Sequence, residues 1–233
     1  MKLFDLSGSE DDRKTSPYCW RIRLALAHKQ LGFSSVPWRA EEKDAIAFSG
    51  QGQVPVLVDG DTTVVDSWRI AEYLESSYPN GPSFFGSKEG KGGVKFIVHW
   101  LDVAVYPVLM QIVCLDALEV AHEMDKAFFR TKWEHVHGMS LEKFGGSAKV
   151  KHLQGALEPM RRILEEQPFL GGSTPNFADL AVAGHFAWAR AVSPIQLLEQ
   201  NDPIFKWRAQ MFDKFRRVVE PTVGFQQSLK AAK

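Results

Sequence analysis

The stretch SPYCWR at residues 16–21 opens a predicted helix directly after a strand and a polar loop. Ser16 suits the N-cap, and Pro17 suits the first helical position, because proline has no N–H group to leave unpaired there. Apolar residues then recur at helical spacing as far as residue 29. A serine hydroxyl is therefore predicted at the N-terminus of a helix, beside the unpaired backbone N–H groups of its first turn.

Strands and a second helix extend this pattern. Short apolar runs predict four strands, and an Asp-Gly turn joins the last two in a hairpin. The predicted order is β-α-β, an irregular or helical connection, and then β-β-α, which makes a small α/β unit. The predicted strands are residues 2–6, 33–38, 54–58 and 62–65, and the predicted helices are 17–29 and 66–77.

The second half of the chain is predicted to be helical throughout. The polar, glycine-rich segment 86–93 separates it from the first half and predicts a linker. We therefore expect one domain at residues 1–85 and a helical domain at residues 94–233. The helical domain is predicted to contain helices at 94–124, 126–137, 148–166, 176–191 and 203–217, a mobile loop at 139–149 and a frayed tail at 226–233.

The composition is that of a soluble globular protein. Of its 233 residues 45% are hydrophobic, and Lys+Arg and Asp+Glu number 28 each, so no net charge attracts nucleic acid. We find no run of about 18 uninterrupted apolar residues and no signal-peptide core, and the two cysteines are typical of a reducing compartment. His135 and His137 would lie on different sides of a helix. We expect a cytoplasmic protein with no metal and no nucleic-acid or membrane partner.

Ser16 stands where thioredoxin-like proteins carry the first thiol of a C-x-x-C motif. Serine cannot form a mixed disulfide, so the dithiol mechanism is excluded. Its hydroxyl can instead donate a hydrogen bond to the thiol anion of a ligand, together with the backbone N–H groups of the helix. The alternative is that Ser16 is only an N-cap, which is worth about 1 kcal/mol. Cys19 is a second candidate nucleophile, although free cysteines are usually buried and inert.

A second constellation suggests what the ligand is. The Val54-Pro55 pair begins the third strand, and a cis bond at this proline would expose the Val54 backbone to an extended peptide. Asp66 and Ser67 open the next helix, whose N-terminal amides form a natural carboxylate site. A small peptide with a central thiol and a free carboxylate fits these features and Ser16, and glutathione has that chemistry.

The whole chain resembles the cytosolic glutathione transferases, which have a thioredoxin-like N-terminal domain and an all-helical C-terminal domain. Four stretches carry the resemblance: SPYCWR, VPVL at 54–57, DSWRIAEYL at 66–74 and NFAD at 176–179. The last is similar to the family's capping box, in which Asn176 and Asp179 fix an interior helix. Within the superfamily the first and third stretches, with LGG at 170–172, resemble the bacterial glutathione-dependent β-etherases and the fungal etherase-like transferases.

The resemblance implies specific roles. Ser16 would activate glutathione, the Val54 backbone and neighbouring Gln53 would bind it beside a cis Pro55, and Asp66 with Ser67 would bind its γ-glutamyl group. A homodimer is also implied. The reaction expected is attack of the glutathione thiolate on a hydrophobic aromatic electrophile, including β-aryl ether cleavage. Two alternatives stay open: a non-catalytic carrier of hydrophobic ligands, and a thiol transferase that uses Cys19.

The acceptor pocket is expected in the helical domain. Its candidate lining residues are hydrophobic side chains of the first long helix and one residue close to the active hydroxyl, although an aromatic stripe on a helix is more often core. Trp188 is interpreted as core. The candidates are Tyr18, Trp100, Tyr106 and Met110.

Overall fold

The computed structural model describes residues 1–222 and 224, so the tail predicted at 226–233 lies outside the described residues. The N-terminal unit has the predicted β-α-β-β-β-α order with a 3₁₀ turn, Lys43–Ser49, at the connection. The thioredoxin-like fold is thereby confirmed. Its elements are β1 (Lys2–Leu6), α1 (Pro17–His28), β2 (Ser34–Trp38), β3 (Val56–Asp59), β4 (Thr62–Val65) and α2 (Ser67–Ser77).

The four strands form one mixed sheet in the order β2-β1-β3-β4. Strand β1 runs parallel to β2 and antiparallel to β3, with Leu3 opposite Leu57. The β3–β4 hairpin is antiparallel, as the Asp-Gly turn predicts. Leu3 and Leu57 are fully buried, and so are most residues of α1. The core of this unit therefore lies between the sheet and α1.

The second unit is helical, as predicted, but its boundaries differ from the prediction. The first helix begins at Gly90, inside the segment predicted to be a linker, and a short helix lies inside the predicted loop at 139–149. A π-helix, Leu101–Val105, interrupts the first long helix. The helices are α3 (Gly90–Trp100), α4 (Tyr106–Glu119), α5 (Glu123–His137), α6 (Leu141–Phe144), α7 (Val150–Ala156), α8 (Glu158–Glu166), α9 (Phe177–Val192), α10 (Pro203–Lys214) and α11 (Arg216–Val219).

Helix α9 is the centre of this unit, and every residue in it except Arg190 is buried. Its start carries the predicted capping box, formed by Asn176 and Asp179. Gly184 lies against α1 so closely that a Cβ atom there would come within 3.0 Å of the Arg21 backbone nitrogen. The absence of a side chain therefore brings α9 and α1 into contact, which positions Ser16 against the helical unit.

Two polar contacts also join the units. The buried carboxylate of Asp125, in the first turn of α5, accepts hydrogen bonds from the Ala40 and Glu41 amides at 2.9 and 3.1 Å. Arg21 of α1 pairs with Asp102 of the π-helix. The continuous helical stretch Gly90–Glu119 is long and apolar enough to cross a membrane by composition alone, but half of its most apolar part is buried inside the protein, as in a core helix.

Candidate active site

A cavity of about 220 Å³ lies between the start of α1 and helices α4 and α5. It brings together most of the side chains that the sequence singled out, and it lies where the two units meet. A larger groove of about 1090 Å³, between α1, α10 and α11, contains none of the predicted catalytic, glutathione-binding or acceptor residues. The smaller cavity is lined by Ser16, Tyr18, Gln53, Val54, Tyr106, Met110 and Trp188, with further residues of α5.

Ser16 is both an N-cap and a cavity residue. It is 6% exposed, and its Oγ accepts a hydrogen bond from the Cys19 N–H at 3.2 Å. That bond uses a lone pair of the oxygen, so the hydroxyl hydrogen can still be donated. The capping role and the thiol-binding role are therefore compatible, because they use different parts of one hydroxyl group.

Cys19 faces the protein interior. Its side chain is fully buried, and burial raises the pKa of the thiol well above its ordinary value, with Asp5 adding to the effect. A thiol that is neither accessible nor ionised is a poor nucleophile. The burial of Cys19 therefore argues against thiol transfer by this residue.

The segment before β3 forms one edge of the cavity. The Val54–Pro55 peptide bond is cis, as predicted. Val54 is half-buried, and within the described part of the chain its backbone N–H and C=O groups have no partner. Gln53 lies exposed beside it, with its carbonyl accepting a hydrogen bond from the Gln51 side chain. A free N–H and C=O on an extended residue are the groups that pair with a bound peptide.

A second depression of about 370 Å³ lies at the start of α2. Asp66 has a φ of 71°, and its Oδ1 accepts from the Trp68 and Arg69 amides at 3.0 Å each. The prediction that the first-turn amides as a group hold a carboxylate is therefore too broad, because Asp66 already binds two of them. The Ser67 N–H and hydroxyl have no partner among the described residues, and Lys95 adds positive charge to the same depression.

Tyr18 lines both depressions. The Arg21 guanidinium lies 4.7 Å from the centre of its ring and is itself paired with Asp102. Burial, and then the Asp102 carboxylate, raise the pKa of the Tyr18 phenol. Its hydroxyl therefore stays protonated near neutral pH and is a hydrogen-bond donor.

Only some of the residues predicted to line the acceptor pocket lie at the cavity. Tyr106 and Met110 line the cavity, whereas Trp100 is half-buried against the main core and does not. Trp188 is 3% exposed, as the core interpretation requires, yet it also lines the cavity.

Helix α5 forms a wall that we did not predict. Phe129 and Trp133 stack with ring centres 5.2 Å apart and an interplanar angle of 17°, and Phe128 and Lys132 lie beside them. Their sequence signal, aromatic residues spaced along a helix, is the one that equally indicates core. Among the described residues no group of three or more His, Cys, Asp or Glu side chains could hold a metal ion, and the His137 ring stacks on Phe144.

Two family models match the chain, one for each unit. Residues 15–77 match the model described as "Glutathione S-transferase, N-terminal domain", and residues 94–219 match "Glutathione S-transferase, C-terminal domain". The chain belongs to the glutathione S-transferase family. Glutathione is the cosubstrate of this family.

Relatives and solved structures agree with this assignment. The transferase is 24% identical over 189 residues to "Probable glutathione S-transferase GSTU6" of Oryza sativa subsp. japonica, covering 78% of this chain and 72% of the relative. Other curated relatives match this chain over only 46% of their own length.

Two fungal structures share the fold. Glutathione transferase GSTFuA3 from Phanerochaete chrysosporium superposes with a TM-score of 0.84 at 22% identity, covering 92% of this chain and 96% of that one. The glutathione S-transferase CsGST63524 of Ceriporiopsis subvermispora, solved in complex with glutathione, gives 0.80 at 18% identity, covering 93% and 96%. At these identities the likeness shows the fold alone.

Proposed function

We propose that this glutathione S-transferase activates glutathione through the Ser16 hydroxyl. The observation that carries the proposal is that Ser16 lines the cavity and caps α1 through a lone pair of its oxygen, so that its hydroxyl hydrogen is left to donate. A thiol of ordinary pKa near 8.5 needs about 2 kcal/mol of anion stabilisation to ionise near neutral pH. One charge-assisted hydrogen bond at a helix N-terminus supplies that amount.

The remaining contacts hold the tripeptide in place. The unpaired Val54 backbone pairs with the cysteinyl residue of glutathione, with Gln53 beside it. Ser67 donates its N–H and hydroxyl to the γ-glutamyl carboxylate, while the Asp66 carboxylate accepts from the ammonium group. The separation of the two depressions by Tyr18 supports this arrangement, because the thiol and the γ-glutamyl group occupy different ends of the peptide.

The acceptor is a hydrophobic aromatic electrophile. The supporting observation is the wall of aromatic side chains on α4, α5 and α9 around the cavity. With a β-aryl ether, the sulfur attacks the ether carbon, a C–S bond forms, the C–O bond breaks, and the electron pair leaves on the aryloxide, which takes a proton from water. Positioning and anion stabilisation by the protein account for catalysis.

We propose the wider setting on the same grounds. The glutathione-binding domain covers residues 1–85, and the helical domain begins at residue 94 after a linker whose last residues are already helical. The enzyme acts in the cytoplasm, in the metabolism or detoxification of aromatic compounds. It is a homodimer, which is supported by Phe96 and Val103, exposed by 73% and 76% on one helical stretch, since large exposed apolar side chains favour burial against a second copy.

Ser16→Ala tests the central role. We expect kcat/KM to fall at least tenfold with several aromatic electrophiles, and the pKa of the pH–rate profile to rise, because the thiolate has lost a donor. Ser87→Ala is the matched control, since Ser87 also accepts from an amide, that of Gly90 at 3.0 Å, but lies outside the cavity. Unchanged turnover in Ser16→Ala would refute the assignment.

Ser67→Ala tests the glutathione site separately. We expect a higher KM for glutathione with little change in kcat, because the contact is distant from the thiol. Release of a phenol from a β-aryl ether with an adjacent carbonyl, measured by chromatography, tests ether cleavage. Robust conjugation of other electrophiles without phenol release would indicate a general transferase, and tight binding of aromatic ligands without any turnover would indicate a carrier protein.

A further inference from the structure

The groove of about 1090 Å³ between α1, α10 and α11 is a second place where a small molecule could bind. We call it the α10 groove. It shares no lining residue with the cavity at Ser16 or with the depression at the start of α2. Sites for small molecules usually have volumes of about 300–1,000 Å³, so the α10 groove is large enough for a ligand of several rings.

The buried part of the α10 groove is apolar and largely aromatic. Phe85, Val94 and Phe215 line it, and none of them is more than 7% exposed. The His28 ring lines it as well. This ring stacks on Phe84 with ring centres 5.8 Å apart and an interplanar angle of 25°, and its centre lies 6.1 Å from that of Phe215. Such a surface packs well against a flat ring of a ligand.

One polar atom in this apolar surface has no partner. His28 is 6% exposed, and its Nε2 atom forms no hydrogen bond with the described residues. Burial, and then the neighbouring lysines, lower the pKa of His28 to about 4, so the ring is neutral near pH 7. Buried polar atoms are almost always hydrogen-bonded in proteins. The unpaired Nε2 therefore favours a ligand ring that carries a hydrogen-bonding group at its edge.

The rim of the α10 groove is positively charged. Lys214 ends α10 and Arg217 lies in α11, and these two exposed cations flank the buried Phe215. Neither cation forms an ion pair within the described part of the chain, whereas Arg216 between them pairs with Asp213. A lysine at a helix C-terminus also offsets the helix dipole, but that role does not account for Arg217. Two unpaired cations three residues apart match a doubly charged anion.

The remaining polar groups favour an anion without an ammonium group. Among the described residues Asp213 is the only carboxylate that lines the groove, and Arg216 already pairs with it. An amino acid, or glutathione, would leave its ammonium group without a partner there. Asn176 also lines the groove, and its Oδ1 accepts from the Ala178 amide at 2.9 Å, so its Nδ2 keeps two N–H groups to donate.

We propose that the α10 groove binds a nucleoside monophosphate. A phosphate monoester carries about 1.5 to 2 negative charges near pH 7, which matches Lys214 and Arg217. The base packs against the apolar surface at Phe215 and hydrogen-bonds to the His28 Nε2. The site is separate from the proposed transferase chemistry, and binding makes or breaks no covalent bond.

Calorimetry with AMP, GMP, CMP and UMP tests the proposal. We expect one or more of these nucleotides to bind about tenfold more tightly than its own nucleoside and than inorganic phosphate, because each of these probes lacks one half of the recognised structure. Arg217→Ala and Lys214→Ala should each weaken nucleotide binding about tenfold. The matched control is Lys206→Ala, since Lys206 is an exposed lysine of α10 outside the groove, and it should leave the affinity unchanged.

Two further measurements locate the site. His28→Phe keeps the aromatic ring and removes Nε2, so it should weaken nucleotide binding severalfold. Saturating glutathione and Ser16→Ala should leave the nucleotide affinity unchanged. The proposal would be overturned by the absence of nucleotide binding at about 1 mM, by equal affinity for inorganic phosphate, by equal effects of Lys206→Ala and Arg217→Ala, or by displacement of the nucleotide by glutathione. Each of these results would leave the assignment of Ser16 intact.

Discussion

Removal of the Asp179 carboxylate should destabilise the protein more than other changes of similar size. The carboxylate is fully buried at the start of α9. Its Oδ1 accepts from the Leu170 amide and the Trp207 indole at 2.8 and 2.9 Å, and its Oδ2 accepts from the amides of Gly171 and Asn176 at 2.9 and 3.1 Å. Asp179→Ala leaves four donors without this partner.

The expected magnitude follows from these four bonds. A buried donor left unpaired costs about 1–3 kcal/mol. The cost is smaller than the sum over four donors for two reasons. Water can enter the vacated space, and the wild-type charge is itself buried at a cost. Burial raises the pKa of Asp179 despite its hydrogen bonds, which reflects that cost. We therefore expect a loss of about 3–5 kcal/mol in the free energy of unfolding.

Guanidinium unfolding monitored by tryptophan fluorescence measures this change. Trp207→Phe is the matched control, because it removes one donor together with its bond, and it should cost only about 1 kcal/mol. For Asp179→Ala the midpoint should fall at constant slope. A loss no larger than that of Trp207→Phe would refute the reasoning that the four bonds act together to anchor α9.

Three further predictions concern buried groups in other parts of the described chain. Asp125→Ala should lower the free energy of unfolding by about 2 kcal/mol, because the amides at residues 40 and 41 lose their partner. It should also raise the KM for the acceptor, because α5 loses a contact that holds its aromatic wall in place. Chemical denaturation measures the first effect and steady-state kinetics the second. Gly184→Ala should lower the melting temperature strongly, whereas Gly155→Ala, where a Cβ meets nothing within 4 Å, should not. Burial and then neighbouring lysines lower the pKa of His28 from 6.5 to about 4. Between pH 6.5 and pH 4 the unfolded chain binds a proton at His28 and the folded protein does not. The free energy of unfolding should therefore be highest above pH 6.5 and fall by up to about 3 kcal/mol as the pH falls toward 4. In His28→Phe this pH-dependent fall should be absent.

Local patterns predicted the parts of the site that depend on local rules. An N-cap such as Ser16 and the Asn176 capping box are determined by residues within one turn, and both were recognisable from residue type and spacing. The same holds for the β3–β4 hairpin, because its Asp-Gly turn specifies the connection.

The missed features depend on distant contacts. Tyr106 and Met110 are four residues apart and share a helix face, whereas Trp100 lies six residues before Tyr106, a spacing that already places it on another side. The α5 wall could not be separated from core, since Phe129 and Trp133 are exposed to a cavity only because α4 and α1 leave space beside them. The sequence pattern at Asp66 does not distinguish a helix cap from an anion site, because both use the same backbone amides.

The position of Tyr18 at the boundary of both depressions has a thermodynamic consequence. A γ-glutamyl group on one side and an aromatic acceptor on the other would contact the same ring, which Arg21 and Asp102 connect to the helical unit. Any change in acceptor affinity caused by glutathione must then be matched by an equal change in glutathione affinity caused by the acceptor, because coupling between two ligands is reciprocal. Tyr18→Ala, which removes the shared ring, should therefore change the coupling by the same factor whichever of the two ligands is titrated second.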